Sequence, residues 1–345
     1  MKINVAIIGL GVVGKKRREY IEKNKNYNLV AASDIFFKKD FIRKKVHYFK
    51  NFEDVFKMNN KIDAIFITLP NYLSAKVTIL ALKKNIHVFC EKPPGRNVQD
   101  VRDVLKVFKK NNKLKLKYGF NHRYHKSVVL TKKIIDGKKL GNLINIRCVY
   151  GKSKILNFSS SNWRSDKKFA GGGILLDQGI HMLDLLKYFN NNSSFQEYKS
   201  FISNKFWGYN VEDNAFAIMR SKNGVISSIH STATQWQHKF YMEITLSNGT
   251  IVLEGILSGT KTYGKETLKI FPGAKPYTFK GETTKTKKFY FDKDTSWSDE
   301  IDEFADVIIK NRHVKYGNIY DSLAVMKMID KIYKDDKRIG NVRNK

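Results

Sequence analysis

A short β-like run, Lys2 to Ile8, leads directly into Gly9-Leu10-Gly11-Val12-Val13-Gly14, and this junction constrains the fold more than any other part of the chain. A G-x-G-x-x-G loop alone is weak evidence, because three glycines can simply turn a backbone. Here the loop opens a helix predicted from Lys15 to about Lys25, and a second strand, Leu29 to Ser33, ends on Asp34. Strand, glycine loop, helix, strand and terminal acid together form the signature of a dinucleotide-binding βαβ unit. Gly9 would make the tight turn, Gly11 would let backbone approach a pyrophosphate, and Gly14 would let the helix pack on the strand, with the phosphates at the helix N-terminus. Asp34 stands about twenty residues beyond the last glycine, where a carboxylate accepts hydrogen bonds from the adenosine ribose. Val12, Val13 and Ile35 flank these positions and are expected to touch the same ligand. An anionic Asp34 repels a 2′-phosphate, so NAD is favoured over NADP, an exclusion that Lys38 and Lys39 soften.

From Lys2 to Phe120 strands and helices alternate, the pattern of a doubly wound parallel sheet. Ala64 to Thr68 runs into Leu69-Pro70-Asn71 and a helix from Leu73 to Lys84. His87 to Cys90 runs into Glu91-Lys92-Pro93-Pro94, followed by a helix from Val98 to Lys110 and a short strand from Lys115 to Tyr118. Ligands of open α/β sheets lie beyond the carboxyl ends of the strands, so Gly9, Asp34, Thr68, Glu91 and Asn121 are expected to ring one crevice. After Asn121 the pattern changes. One helix, His125 to Ile135, precedes long β-like segments, the clearest being 143–150, 211–219, 225–233, 241–246 and 251–257, with the hairpin dipeptide Asn248-Gly249 between the last two. These features predict two domains: an α/β Rossmann domain over 1–120, and an α+β domain over 121–345 with a large, open, mainly antiparallel sheet. The helical segments Trp297 to Lys310 and Tyr320 to Tyr333 are placed to pack back on the first domain. At 345 residues the chain suits two cores better than one, since single cores stop growing at roughly 250–300 residues.

A second unusual segment runs from Gly171 to Asp184, Gly-Gly-Gly-Ile-Leu-Leu-Asp-Gln-Gly-Ile-His-Met-Leu-Asp. It predicts a helix that is apolar nearly all round, hence buried, with Asp177, His181 and Asp184 along one face. Buried polar groups need partners. Either they cap and brace the core, or they meet a polyhydroxylated small molecule whose hydroxyl the imidazole can deprotonate.

The remaining sequence excludes several classes. The net charge of +32 comes from 64 basic and 32 acidic residues spread along the whole chain, and no nucleic-acid motif accompanies it, so nucleic acid is not an expected partner. The first thirteen residues lack a cleavage site and run into Lys15-Lys16-Arg17-Arg18, unlike a signal peptide. No stretch approaches the ~20 apolar residues of a membrane span. Two cysteines, Cys90 and Cys148, make no disulfide framework, and a reducing, cytoplasmic setting follows. A metal held by Asp177, His181 and Asp184 with His122 or His125 would lack the ligand types of a closed zinc site, so none is expected.

The order of these motifs resembles the glucose-fructose oxidoreductase / inositol dehydrogenase / MocA family, Gfo/Idh/MocA, over nearly the whole length. Gly9–Gly14 is similar to its cofactor loop, Thr68 with Pro70-Asn71 to its nicotinamide-side strand end, and Glu91-Lys92-Pro93 to its diagnostic tripeptide. Gly171–Asp184 is similar to its second catalytic segment, while Asn121-His122-Arg123-Tyr124 and Trp163-Arg164 resemble its domain-junction and substrate-loop elements. Two departures stand out: Ser74 where a histidine is common, and Pro94-Gly95-Arg96 after the tripeptide. The resemblance implies NAD(P)-dependent hydride transfer to or from a secondary alcohol of a sugar, sugar nucleotide or cyclitol, without metal. It also implies a homodimer or homotetramer formed through the second domain's sheet. His181 is the candidate base, Lys92 the cation facing the developing alkoxide, and Asp177 the residue that holds a second hydroxyl or orients the imidazole. Gly9, Gly11, Val12, Val13, Gly14, Asp34, Ile35, Thr68, Leu69, Pro70, Asn71, Glu91, Lys92 and Asn121 are expected at the cofactor. Arg123, Tyr124, Trp163, Arg164, Asp177 and His181 are expected at the substrate, where either arginine could hold an anionic group or serve as a structural ion-pair partner. Two alternatives on the same sequence are NAD-assisted elimination or glycoside cleavage, and a non-catalytic NAD-binding regulator.

Overall fold

The computed structural model describes residues 2–59, 61–153, 163–259, 261–273 and 286–336. Residues 337–345 lie outside this range. Two compact units emerge, one from 1–121, 168–171 and 297–324, the other from 122–167, 172–296 and 325–345.

The first unit is built on seven strands: β1 (Ile3–Ile8), β2 (Tyr27–Ser33), β3 (Phe41–Arg43), β4 (Val46–Phe49), β5 (Ala64–Ile67), β6 (His87–Cys90) and β7 (Leu116–Tyr118). Their order is β3-β4-β2-β1-β5-β6-β7, parallel throughout except for the β3–β4 hairpin. The strand order reverses direction about β1, the topological switch point where such sheets bind ligands. Helices α1 (Val12–Lys23), α2 (Phe52–Val55), α3 (Asn71–Lys83) and α4 (Val98–Phe108) connect the strands. The wholly buried residues of β5, Ala-Ile-Phe-Ile, show why the strand reads as a continuous apolar run: both faces are covered.

Chain from far downstream completes this core. Tyr27 meets Phe66 edge-on at 5.6 Å, and Phe304 packs edge-on against both Phe66 and Phe89. Ile301, Phe304 and Ala305 are buried with these strands. The β3–β4 hairpin is absent from the sequence reading. Its turn uses Lys44 and Lys45 at φ 51° and 65°, a left-handed pair that Asn-Gly normally announces and lysines do not.

The second unit carries eight strands: β8 (Leu143–Gly151), β9 (Phe195–Ser203), β10 (Asn214–Ser221), β11 (Ile226–Thr232), β12 (Lys239–Leu246), β13 (Gly249–Glu254), β14 (Glu266–Pro272) and β15 (Lys287–Phe291). Their order is β15-β14-β13-β12-β8-β11-β10-β9, and every pair is antiparallel but β8–β11. The Asn248-Gly249 dipeptide turns β12 into β13, as the sequence predicts. In β10 alternate residues are buried, and Phe216 and Ile218 face outward. One face of the sheet packs on α5 (Lys126–Asp136) and α7 (Ile180–Phe189), preceded by the short α6 (Lys167–Ala170). Strands β9, β14 and β15 were not expected; β15, Lys-Lys-Phe-Tyr-Phe, is an exposed edge with little apolar alternation to announce it. The last two helices are α8 (Ser296–Ile309) and α9 (Ile319–Asp335). Among the described residues no helix is long and apolar enough to cross a membrane.

Candidate active site

The glycine loop is closed by three short contacts at the end of β1. Gly9 sits at φ +90°, its N–H donates to Ser33 O, and Thr68 Oγ1 donates to the Gly9 carbonyl at 2.6 Å and to the Ile8 carbonyl at 3.1 Å. A side chain at Gly14 would strike the Gly9 carbonyl and the Thr68 hydroxyl, so α1 can pack here only through a bare Cα. A side chain at Gly11 would meet nothing within 4 Å, and Val12 beside it is 91% exposed. No side chain caps α1, leaving its first amides available to an anion.

Asp34 is fixed at the end of β2, where its two carboxylate oxygens accept from Leu10 N–H and Phe36 N–H. Ile35 follows at 73% exposure. Gly9, Gly11, Gly14, Asp34 and Thr68 therefore form one cradle whose donors, open floor and acidic rim match a dinucleotide. Leu69 and Pro70 are half-buried beside it, and Val13 is half-buried at the start of α1. Asn71 is buried and donates from Nδ2 to Ala170 O at 2.7 Å, so its amide braces the 168–171 segment. The departure at Ser74 is accommodated internally, its hydroxyl reaching the Leu69 and Pro70 carbonyls of the same turn.

At the end of β6, Glu91 is buried and Lys92 half-buried, joined to Pro93 by a cis peptide bond. Asn121, at the end of the first unit's leading segment, is buried as well. The Glu91 carboxylate lies against Gly119 and accepts from Arg17 Nε at 2.5 Å. Arg17 is fully buried and donates through Nη2 to Glu300 at 2.5 Å, with its guanidinium over the Phe89 and Trp297 rings. Burial drives Glu300 up to about 7, against the pull of Arg17 and Lys117 and with help from Glu91. The sequence reading used Lys15-Lys16-Arg17-Arg18 only as evidence against a signal peptide. The signal it passed over is helical spacing: Gly14, Arg17 and Ile21 share the buried face of α1.

In the second unit all ten residues of α7 are buried, as its composition predicts. The segment before it is a π turn, Leu175–Gly179, not a continuous α-helix. The polar groups consequently serve different partners. Asp177 pairs with Lys152 at 3.1 Å, whereas Asp184 is held bidentately by Arg123, at 2.7 and 2.5 Å, in a fully buried ion pair. His181 is 5% exposed and its ring stacks on that of His122 at 3.7 Å and 15°. His122 Nε2 is 3.2 Å from the Tyr150 hydroxyl, and Tyr150 packs edge-on to Tyr263, which accepts from Gln178. Burial raises Tyr150 well above the ordinary tyrosine range and pushes Tyr263 up to about 12, so both are neutral hydroxyls.

His125 does not join the stack as a ligand but pairs with buried Glu266 at 2.7 Å. Tyr124 is half-buried. Trp163 is half-buried and carries the exposed Arg164 guanidinium over its ring at 4.3 Å. Glu212, which the sequence reading missed, accepts from Gly173 N–H, Leu175 N–H and Tyr333 Oη, clasping the start of the π turn. Among the described residues no group of three or more His, Cys, Asp and Glu has metal-holding geometry.

Chemically, the first unit offers an uncapped helix start and a carboxylate fixed by two backbone amides. The second offers a buried imidazole stacked on His122, whose Nε2 meets the Tyr150 hydroxyl, and a carboxylate–lysine pair on the preceding turn. Comparison with known proteins gives the same division. Residues 3–120 match the family described as "Oxidoreductase family, NAD-binding Rossmann fold", and residues 128–252 match the "GFO/IDH/MocA C-terminal domain". Glucose-6-phosphate 3-dehydrogenase of Bacillus subtilis is 29% identical over 187 residues, 53% of each chain. Myo-inositol 2-dehydrogenase of Thermotoga maritima is 24% identical over 75% of this chain and 77% of that one. The match to the first of these thus spans about half of the relative's length. Among solved structures, aldose-aldose oxidoreductase from Caulobacter crescentus superposes with a TM-score of 0.81 at 19% identity, covering 98% of both chains. Levoglucosan dehydrogenase in complex with NADH and levoglucosan gives 0.82 at 18%, also over 98% of both.

Proposed function

Because the chain belongs to the Gfo/Idh/MocA oxidoreductase family, we propose that it is an NAD-dependent dehydrogenase acting on a secondary alcohol of a sugar, sugar nucleotide or cyclitol. The observation that carries the reading is Asp34, a carboxylate held by two backbone amides at the rim of an uncapped helix start. That geometry suits paired ribose hydroxyls and opposes a 2′-phosphate, which favours NAD over NADP. Bound NAD would supply the hydride acceptor; everything else falls to the chain's own side chains.

In this proposal His181 takes the carbinol proton, an imidazole being matched to proton transfer near neutrality. Lys92 places a cation against the oxygen as negative charge develops there. Asp177, tethered to Lys152, holds a neighbouring hydroxyl. Tyr124, Trp163 and Arg164 contribute to the sugar's surroundings, while Arg123, neutralised by Asp184, braces α7. The protein works in the cytoplasm as a homodimer or homotetramer. The outward sheet face bearing Phe201, Phe216, Ile218 and Ile226 supports that assembly, since exposed apolar patches of this kind mark association surfaces.

The test is NADH formation by the purified protein with NAD and a panel of sugars, sugar phosphates, nucleotide sugars and cyclitols. One NADH per alcohol oxidised is expected for at least one of them. Product formation with no net NADH would instead mean oxidation followed by elimination and re-reduction, and absence of any hydride transfer would overturn the reading.

A further inference from the structure

Three segments distant in sequence meet at one buried guanidinium. Arg17 lies on α1, three residues beyond the last glycine of the cofactor loop; Glu91 immediately precedes Lys92; and Glu300 sits in the first turns of α8. The guanidinium is held by Glu91 through Nε and by Glu300 through Nη2, with the Phe89 and Trp297 rings at 4.6 and 4.3 Å, while its buried Nη1 makes no hydrogen bond among the described residues. Lys117, the other cation near Glu300, is itself bound to the Tyr316 carbonyl and lies 3.5 Å from Glu303. Lys16 lies over the Trp297 ring.

Stability alone is a poor reason for such a triad. Desolvating three charges costs about what their attraction returns, and well-packed apolar residues of the same volume often serve as well or better. What the triad supplies is geometry. A planar fork with fixed donors sets two carboxylates at defined positions, which a flexible ammonium cannot do. Glu91 is held at both ends, by its carboxylate and by its N–H to the Ile67 carbonyl, and its carboxylate occupies the space that a side chain at Gly119 would need. The next residue in the chain inherits that orientation.

We propose that Arg17 and Glu300 are positioning residues for Lys92, acting through Glu91. This rests on the catalytic role assigned to Lys92 above. Through α1 the same clamp ties the cofactor loop to the strand end that presents the lysine.

The experiment compares Arg17→Lys, Glu300→Gln and Glu300→Asp with Lys92→Met in the full-length protein, measuring turnover, NAD dissociation constant, melting temperature and the pH profile of kcat. Arg17→Lys keeps the charge but loses the fork, and turnover is expected to fall about 10-fold or more with NAD affinity within about 3-fold. Glu300→Gln removes one negative charge from the cluster, and the limb of the pH profile that vanishes in Lys92→Met is expected to move to lower pH. A merely structural triad would lower melting temperature and leave that limb in place. If Glu300→Gln does not fold, Glu300→Asp, which keeps the charge and shortens the reach, decides through turnover at unchanged NAD affinity. Should Lys92→Met lower turnover sharply and lose that limb while the folded Arg17 and Glu300 variants retain both rate and profile, the positioning role is wrong. Should Lys92→Met itself turn over normally, it is the catalytic assignment that fails.

Discussion

His122 and His181 lie ring on ring, 3.7 Å between centroids and 15° from parallel, although 59 residues separate them in the chain and α5 intervenes. The stack fixes the plane of the His181 imidazole, and the Tyr150 hydroxyl in turn fixes His122. In the proposed mechanism, orientation and chemistry are thus divided between the two histidines.

Substitution separates the two jobs. His181→Asn is expected to lower kcat by ~100-fold or more, the scale of a lost general base, with NAD affinity retained. His122→Phe keeps a planar ring under His181 and loses the contact to the Tyr150 hydroxyl, so a reduction of about 10-fold or less is expected. Stopped-flow NADH formation checks both. Equal losses from the two variants would mean that the rings act as one unit and that His181 has no separate role in proton transfer.

Asp34→Asn tests the ribose rim. Leu10 N–H and Phe36 N–H need two acceptor oxygens, and an amide supplies one while turning an N–H donor toward the other. The NAD KM is expected to rise about 10-fold, equivalent to ~1.4 kcal/mol, and the NAD-to-NADP preference in kcat/KM to narrow. An unaltered preference would show that discrimination lies elsewhere, with Lys38 and Lys39 the next candidates.

Glu300 gives stability a pH dependence of known sign. Burial raises its carboxyl from the ordinary 4.5 to about 7, so between these values the folded protein binds more protons than the unfolded chain. Stability is full below pH 4.5 and is lost as pH rises through about 7, by up to about 3 kcal/mol from this group alone. Chemical denaturation across pH 5 to 8 is expected to show the decline, and Glu300→Gln to flatten it. A variant slope as steep as the parent's would place the titration on another group.

The cofactor cradle was legible because its demands are local. Gly9, Gly11 and Gly14 announce a turn, an open floor and a close packing within six residues, and Asp34 follows at the distance one βαβ crossover imposes. The Arg17–Glu300 contact spans 283 residues, and no local pattern can pair them. Only the helical phase of Gly14, Arg17 and Ile21 marks Arg17 as inward. The α7 helix was readable from its unbroken apolar surround, whereas the π turn before it was not. The spacing of Asp177, His181 and Asp184 suits a continuous α-helix; nothing local announces that a distant carboxylate, Glu212, accepts from the amides of Gly173 and Leu175 where the π turn starts.

That clasp yields the last prediction. Glu212 is buried, and burial raises its carboxyl above the ordinary range despite donations from Tyr333 Oη and from Gly173 and Leu175 N–H. Tyr333→Phe removes one donor without opening a cavity and leaves a buried carboxylate oxygen short of a partner, at a cost of ~1–3 kcal/mol. Because the loss weakens stabilisation of the charged form, the penalty is expected to grow as pH rises and Glu212 ionises, and to shrink toward low pH, where a protonated carboxyl no longer needs that donor. Gly172 adds a second, independent check on the same contact. A methyl at Gly172 would collide with the Tyr333 hydroxyl, so Gly172→Ala should destabilise the parent more than it destabilises the Tyr333→Phe variant. Additive melting-temperature shifts in that double-mutant cycle would show that Tyr333 and Gly172 do not act on one another.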